Sequence, residues 1–291
     1  MNAFRRILVP LLGMLVSVAL ITCQKRPANI ATSSDGVSIV YKTYGQGNPT
    51  LVFVHGWCCD KSYWDAQVPH FAHKYRIVTL DLGGHGESGL NRKDWTIQAF
   101  GNDVLAVVQH LRLSSVILIG HSMGGSVIVE AARQLPQSAI GVIGVDTFQD
   151  IERQPTQEDI NTLMEPMQED FETSTMNFVC QILFTPDADT TLMAEVAEDM
   201  ASSPKEIALS ALENAWNYNM QEAFADIRIP ICGINSDFYP VNIDAGKHYA
   251  SSFEITFMSG VGHFLMMEDP QTFNRNLEDT IQALMHHTAG G

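Results

Sequence analysis

Short apolar runs bounded by turn residues recur along this chain and constrain its fold more than any other feature. Several of the runs lack the alternation of apolar and polar residues that marks a strand with one wet face. That pattern is typical of strands buried on both faces of a parallel sheet. The runs are IVYKTY (39–44), LVFVHG (51–56), RIVTLD (76–81), VILIG (116–120), IGVIGVD (140–146), IPICGI (229–234) and EITFM (254–258).

Helical patterns separate these runs. Apolar residues recur at helical spacing in TIQAFGNDVLAVVQHL (96–111) and in GSVIVEAARQL (125–135). Because strands alternate with helices, the sequence predicts an α/β fold with a doubly wound, mostly parallel sheet. A length of 291 residues suits one large domain of this class.

The interval between Asp146 and Pro230 is much longer than the strand–helix–strand connection of about 30 residues. It contains SPKE (203–206), in which Ser203 is a candidate helix cap and Pro204 a candidate first helical residue. We therefore predict a helical cap over residues 148–225, with a core made of 30–147 and 226–287. Such a cap would cover the carboxyl ends of the strands, where open α/β sheets bind ligands.

Residues 1–22 are typical of an export signal rather than of a folded domain. Arg5 and Arg6 precede an uncharged, mostly apolar stretch, and LITC (20–23) resembles a bacterial lipoprotein cleavage box, although Thr22 departs from its usual small residue. The sequence thus predicts an exported protein held at the bacterial cell envelope by a lipid on Cys23. An uncleaved N-terminal membrane anchor and a secreted protein are the alternatives, and membrane contact is expected only through this segment.

Charge and cysteine content narrow the range of partners. A formal net charge of −16 argues against nucleic acid, because phosphate binding needs clustered Lys and Arg. The four cysteines after Cys23 are compatible with disulfides or with buried thiols: Cys58, Cys59, Cys180 and Cys232. No zinc-like spacing is present, and neither a metal nor a cofactor is expected. The oligomeric state is left open.

The stretch VILIGHSMGG (116–125) carries the strongest chemical signal, because a buried strand, a glycine-rich turn and a helical pattern follow one another. This is the setting of a nucleophile elbow, which presents a serine on a sharp turn. Ser122 is therefore the candidate nucleophile, and the backbone N–H of Met123 is a candidate oxyanion-hole donor. The alternative is a tight glycine turn with an incidental serine.

Five motifs resemble the α/β-hydrolase family with a helical cap, over about residues 36–284. They occur in the family's order: LVFVHGW (51–57), LDLGGHGES (80–88), GHSMGG (120–125), NSDFYP (235–240) and GVGHFLMMEDP (260–270). In one departure, Gly83 stands where the family commonly has an arginine.

The resemblance implies the remaining roles. His263 would be the general base, Asp237 the acid that orients it, and the backbone N–H of Trp57 the second oxyanion-hole donor. Asp146 is the alternative acid, because some family members carry the acid one strand earlier. Three aromatic side chains beside the active-site loops are candidate pocket residues: Phe148, Phe238 and Phe264.

These residues predict a serine hydrolase that cleaves carboxylic esters through an acyl-enzyme, with a small apolar ester as substrate. The same triad would serve a carbon–carbon bond hydrolase or a cofactor-free perhydrolase. An epoxide hydrolase or haloalkane dehalogenase is disfavoured, because those relatives carry aspartate at the position of Ser122. A non-catalytic binding lipoprotein that retains the fold is the alternative from another class.

Overall fold

An eight-stranded, mostly parallel sheet forms the centre of the molecule, and the computed structural model describes residues 29–289. Only the pairings β1–β2 and β2–β4 are antiparallel, and the strand order is β1-β2-β4-β3-β5-β6-β7-β8. The predicted α/β fold class is therefore confirmed. The strands are β1 (Asn29–Thr32), β2 (Ser38–Tyr44), β3 (Thr50–Val54), β4 (Arg76–Leu80), β5 (Val116–His121), β6 (Ala139–Val145), β7 (Ile231–Ser236) and β8 (Phe253–Met258).

The central strands explain the missing alternation in the sequence. Every residue of β3, β5 and β7 is buried. Burying a Val, Leu or Ile side chain contributes about 1.5–3 kcal/mol, so these runs supply much of the free energy that holds the sheet together.

Within residues 29–289, the core has one 3₁₀-helical turn (Lys61–Trp64) and six α-helices. The α-helices are α1 (Val68–Phe71), α2 (Ile97–His110), α3 (Met123–Gln134), α9 (Ile243–Tyr249), α10 (Leu265–Glu268) and α11 (Pro270–Ala289). The side chain of Thr96 caps α2 by accepting the N–H of Ala99. Helices α2 and α3 approach closely at Gly101, where a Cβ atom would lie 2.8 Å from Cγ of Glu130.

A second group of helices, here called the cap, lies between β6 and β7, in the part of the chain where the sequence predicts one. They are α4 (Gln157–Glu169), α5 (Phe171–Phe178), a π-helical turn (Val179–Leu183), α6 (Thr190–Ala201), α7 (Lys205–Trp216) and α8 (Met220–Asp226). Helix α7 starts one residue later than predicted, with Pro204 as its N-cap. Ser203 does not cap α7, because its hydroxyl donates to the carbonyl of Cys58 at 3.4 Å and so links the cap to the core.

The predicted export segment 1–22 and the predicted lipidation site Cys23 lie outside the described residues, so both stay predictions. Within residues 29–289, none of the helices is long and apolar enough to cross a membrane. The four cysteines in this part of the chain are all free thiols.

Candidate active site

Ser122 occupies a strained turn between β5 and α3, with φ 54° and ψ −120°. Positive φ at a non-glycine residue costs about 1–3 kcal/mol, and this strain persists only where the surroundings enforce it. Glycines make the turn possible. A Cβ atom on Gly120 would lie 2.3 Å from the carbonyl oxygen of Gly124, and one on Gly124 would lie 2.5 Å from that of His55. The elbow therefore exposes the serine at the carboxyl end of the central strand.

His263 and Asp146 form a hydrogen-bonded pair. Nδ1 of His263 lies 2.6 Å from Oδ2 of Asp146, whose side chain is fully buried. The other carboxylate oxygen of Asp146 accepts the N–H of Ser236 at 2.8 Å. Because Nδ1–H donates to the carboxylate, Nε2 is the nitrogen left to accept a proton, as a general base requires.

The partner of His263 is Asp146 and not Asp237, which corrects the prediction from the sequence. The carboxylate of Asp237 accepts the hydroxyl of Ser259 at 2.6 Å, and its own N–H donates to Met258. These bonds hold Asp237 against the end of β8 in an exposed position. Asp146 follows β6, the neighbour of the serine strand, so it reaches the histidine from the adjacent strand end.

The loop that carries His263 is fixed by the cap and by α10. The N–H of His263 donates to the carbonyl of Leu183 in the π-helical turn at 2.7 Å. The carboxylate of Glu268 accepts the N–H groups of Gly262 and Phe264 at 2.9–3.1 Å. Burial raises the pKa of Glu268, although these two backbone donors oppose that shift. Two separate elements thus hold the backbone around His263, the candidate base.

The turn that carries Trp57 is tied to the sheet by a neutral histidine. Nδ1 of His55 donates to the carbonyl of Gly56 at 2.8 Å, and Nε2 accepts the N–H of Leu82 at 3.0 Å. Burial lowers the pKa of His55 to about 4, so both nitrogens keep these roles near neutral pH. The indole of Trp57 donates to the carbonyl of Ala208 in α7 at 2.7 Å, which joins this turn to the cap.

A cavity of about 810 Å³ joins these groups between the core and the cap. Ser122, Asp146 and His263 line it, together with Trp57 and Met123, the predicted donors of the oxyanion hole. Its volume falls in the range of about 300–1,000 Å³ that is typical of small-molecule sites. The cap supplies an apolar wall that includes Leu163, Phe178, Ile182, Leu183, Met200 and Leu212.

Two of the three predicted pocket aromatics lie in this cavity. Phe148 and Phe264 line it and are buried. Phe238 does not belong to the lining: the residue is 39% exposed, and its ring packs against that of Tyr239. Its N–H donates to the hydroxyl of Ser236 at 3.0 Å. The prediction of Phe238 as a pocket residue is therefore corrected.

Sequence reasoning missed the residues that hold the backbone of His263, the candidate base. His121 and Leu183 both bond to the backbone of His263. A polar residue at the end of a buried strand was the available signal for His121, whereas nothing local marked Leu183. Within residues 29–289, no group of three or more His, Cys, Asp or Glu side chains is placed to hold a metal ion.

A family model described as the alpha/beta hydrolase fold matches residues 49–219. The chain is 37% identical over 111 residues to a non-heme haloperoxidase from Rhodococcus erythropolis. This match covers 38% of this chain and only 39% of that protein. It is 26% identical to 3-oxoadipate enol-lactonase 2 from Acinetobacter baylyi, over 84% of this chain and 94% of that protein.

Among solved structures, a thermophilic esterase from Thermogutta terrifontis matches with a TM-score of 0.77 and 19% identity, over 89% of this chain and 99% of that one. This match shows a shared fold. The family model covers more than half of the sequence and includes the serine elbow and Asp146. The chain therefore belongs to the alpha/beta hydrolase fold family, as the motifs in its sequence predict.

Proposed function

We propose that this protein hydrolyses carboxylic esters through Ser122, His263 and Asp146, with an acyl-enzyme intermediate. The 2.6 Å hydrogen bond between His263 and Asp146 carries the proposal, because it orients a base at the rim of the cavity that Ser122 also lines. The strained backbone of Ser122 is the second support, since such strain clusters at functional sites.

In the first half of the reaction, Nε2 of His263 takes the proton of the Ser122 hydroxyl while Oγ attacks the ester carbonyl carbon. The new C–O bond turns the carbonyl oxygen into an oxyanion, which the N–H groups of Trp57 and Met123 bind. When the tetrahedral intermediate collapses, the bond to the alcohol oxygen breaks and His263 returns the proton to that oxygen. The alcohol leaves, and the acyl group stays on Ser122.

In the second half, His263 takes a proton from water and the resulting hydroxide equivalent attacks the acyl carbon. Collapse of this second intermediate breaks the bond to Oγ of Ser122, which regains its proton from His263. Asp146 keeps its negative charge throughout and stabilises the imidazolium that forms twice in each cycle. Each oxyanion-hole donor is worth about 3 kcal/mol of transition-state stabilisation.

The cavity favours an ester with an apolar acyl or alcohol part, because the cap covers the triad with aliphatic and aromatic side chains. One relative is named an enol-lactonase, and a lactone is a cyclic ester, so that relative's name fits the same bond class. Carbon–carbon bond hydrolysis and perhydrolysis use the same nucleophile, and both are outcomes that the experiment below separates from ester hydrolysis.

The test is turnover of p-nitrophenyl acetate and butyrate, alongside a lactone, a diketone and acetate with hydrogen peroxide. We expect the esters to be cleaved, Ser122 to be acylated in the mass spectrum, and Ser122→Ala to abolish both. Ser114→Ala changes an exposed serine just before β5 and is the matched control that keeps full activity. If the wild type neither turns over an ester nor takes up a fluorophosphonate label, the proposal is wrong and a binding role remains.

A further inference from the structure

His121, the last residue of β5, connects the nucleophile elbow to the backbone of His263. Its side chain is fully buried, and its ring centroid lies 4.6 Å from that of His263. Nε2 of His121 lies 3.0 Å from the carbonyl oxygen of His263. Two consecutive residues therefore have linked roles: Ser122 is the candidate nucleophile, and His121 hydrogen-bonds to the backbone of His263.

The partners of the His121 ring define its protonation. A carbonyl oxygen can only accept a hydrogen bond, so Nε2 carries a proton and donates it to His263. Nδ1 is buried and has no hydrogen-bond partner within the described part of the chain. The backbone of Gly56 covers it, because a Cβ atom added to Gly56 would lie 2.9 Å from this nitrogen.

A second proton would sit on Nδ1, where no group accepts a hydrogen bond from it within the described residues. Burial lowers the pKa of His121 well below its usual range, and the neighbouring rings of His263 and His55 lower it further. His121 is therefore neutral near physiological pH. A positive charge at this place would repel the imidazolium that the proposed mechanism forms on His263.

We propose that His121 is a positioning residue that holds the backbone of His263 in register with Ser122. The proposal rests on the proposed function, because it assigns His121 to the support of that base. Both backbone groups of His263 are hydrogen-bonded. Its N–H donates to Leu183 of the cap, and its C=O accepts from His121 of the elbow. Without the bond from His121, the carbonyl of His263 loses its contact with the elbow, and the hydrogen bonds that remain come from the cap, from Glu268 and from Asp146.

The test compares two amide variants that differ by one methylene group. In His121→Gln the amide nitrogen reaches the place of Nε2 and can still donate to the carbonyl of His263. In His121→Asn the amide ends near the place of Nδ1 and is too short to reach. A misplaced catalytic group can cost about 10²-fold in rate, so we expect kcat on p-nitrophenyl butyrate to fall about 10- to 100-fold in the Asn variant, with KM little changed. The Gln variant should recover most of kcat. Equal kcat values for Asn and wild type would overturn the proposal, as would equal losses in the Asn and Gln variants.

A second measurement does not depend on turnover or on the stability of a variant. Long-range ¹H–¹⁵N spectra of protein labelled at histidine report the tautomer of each ring. We expect wild-type His121 to be neutral and protonated on Nε2 between about pH 5 and 8. A proton on Nδ1, or a charged ring in that range, would contradict the proposal even if the enzyme is active. A wild type that shows this tautomer but cleaves no ester would instead contradict the proposed function.

Discussion

Oδ2 of Asp146 lies 2.6 Å from Nδ1 of His263, although the two residues belong to loops that follow different strands. Asp146 is therefore expected to be the acid of the triad. Replacing the acid by its amide leaves the imidazole in the wrong tautomer, which costs about 10⁴-fold in kcat in the well-studied serine protease case. We expect Asp146→Asn to lose activity on p-nitrophenyl butyrate by about 10³- to 10⁴-fold.

Asp237→Asn is the matched control, because it makes the same chemical change one strand away. Its carboxylate contacts Ser259 at the surface, so we expect kcat to stay within about threefold of wild type. Steady-state kinetics of the two purified variants decide the assignment. The reverse result, with Asp237→Asn inactive and Asp146→Asn active, would return the role to Asp237.

The contrast between these two aspartates shows what the sequence could and could not predict. Ser122 and Met123 belong to a strand–turn–helix motif, which a few neighbouring residues are enough to identify. Asp146 and Asp237 each end a run next to the same sheet edge, on adjacent strands. Which loop turns inward depends on bonds between distant segments, such as that from Ser236 to Asp146, and no local pattern encodes them.

The same reasoning applies to the fold. The buried strands were predicted because apolar runs without alternation are distinctive, whereas β1 (Asn29–Thr32) was missed. Three of its four residues are exposed, and it is a strand only because it pairs with β2 at the edge of the sheet. Tertiary pairing, and not composition, creates such a strand.

The guanidinium of Arg92 lies beside Gly83, the residue that stands where the α/β-hydrolase family commonly has an arginine. This guanidinium lies 3.0 Å from Oδ2 of the buried Asp103, and a Cβ atom on Gly83 would lie 3.1 Å from both groups. Removing Arg92 leaves the carboxylate of Asp103 buried without this cation, with the N–H of Gly83 still donating to it at 2.9 Å. Arg92→Ala should therefore lower the free energy of unfolding by about 3–5 kcal/mol.

A second substitution tests whether position 83 can replace this cation. Gly83→Arg alone should destabilise the protein, because its side chain competes for the space of the Arg92 guanidinium. In Arg92→Ala with Gly83→Arg, the new arginine can reach Asp103, and we expect part of the lost stability to return. Urea unfolding of the four proteins gives the coupling free energy, and purely additive effects would show that the two positions do not share one site.

Stability should fall in mild acid because three buried histidines, His55, His85 and His121, are held neutral. Burial lowers the pKa of His55 to about 4 and that of His85 to about 3, whereas an unfolded histidine titrates near 6.5. Below about pH 6.5 the unfolded chain binds protons that the native state does not, so the stability present at neutral pH is lost as the pH falls towards 4. Each histidine should lower the free energy of unfolding by on the order of 1–2 kcal/mol between pH 7 and pH 5. Urea unfolding at several pH values measures this slope.

His85→Asn isolates the contribution of one of these histidines to the pH dependence of stability. An amide nitrogen near the place of Nδ1 can still donate to the carbonyl of Gly83, a contact of 3.1 Å for the histidine, but it does not titrate. We expect a shallower dependence of the unfolding free energy on pH, whatever the variant's stability at neutral pH. An unchanged slope would mean that His85 is not one of the groups taking up protons on unfolding.

The adjacent thiols Cys58 and Cys59 should resist alkylation in the native protein. Both side chains are buried, and burial raises the pKa of each well above its usual range. It also raises the pKa of Cys232 to about 12. The thiolate is the nucleophile, so these shifts leave almost none of the reactive form at pH 8. Cys180 is only partly buried, and we expect iodoacetamide to modify it first. Mass spectrometry of peptides from native protein should find the label there, and labelling in urea should reach the other three. Rapid modification of Cys58, Cys59 or Cys232 in the native state would contradict this prediction.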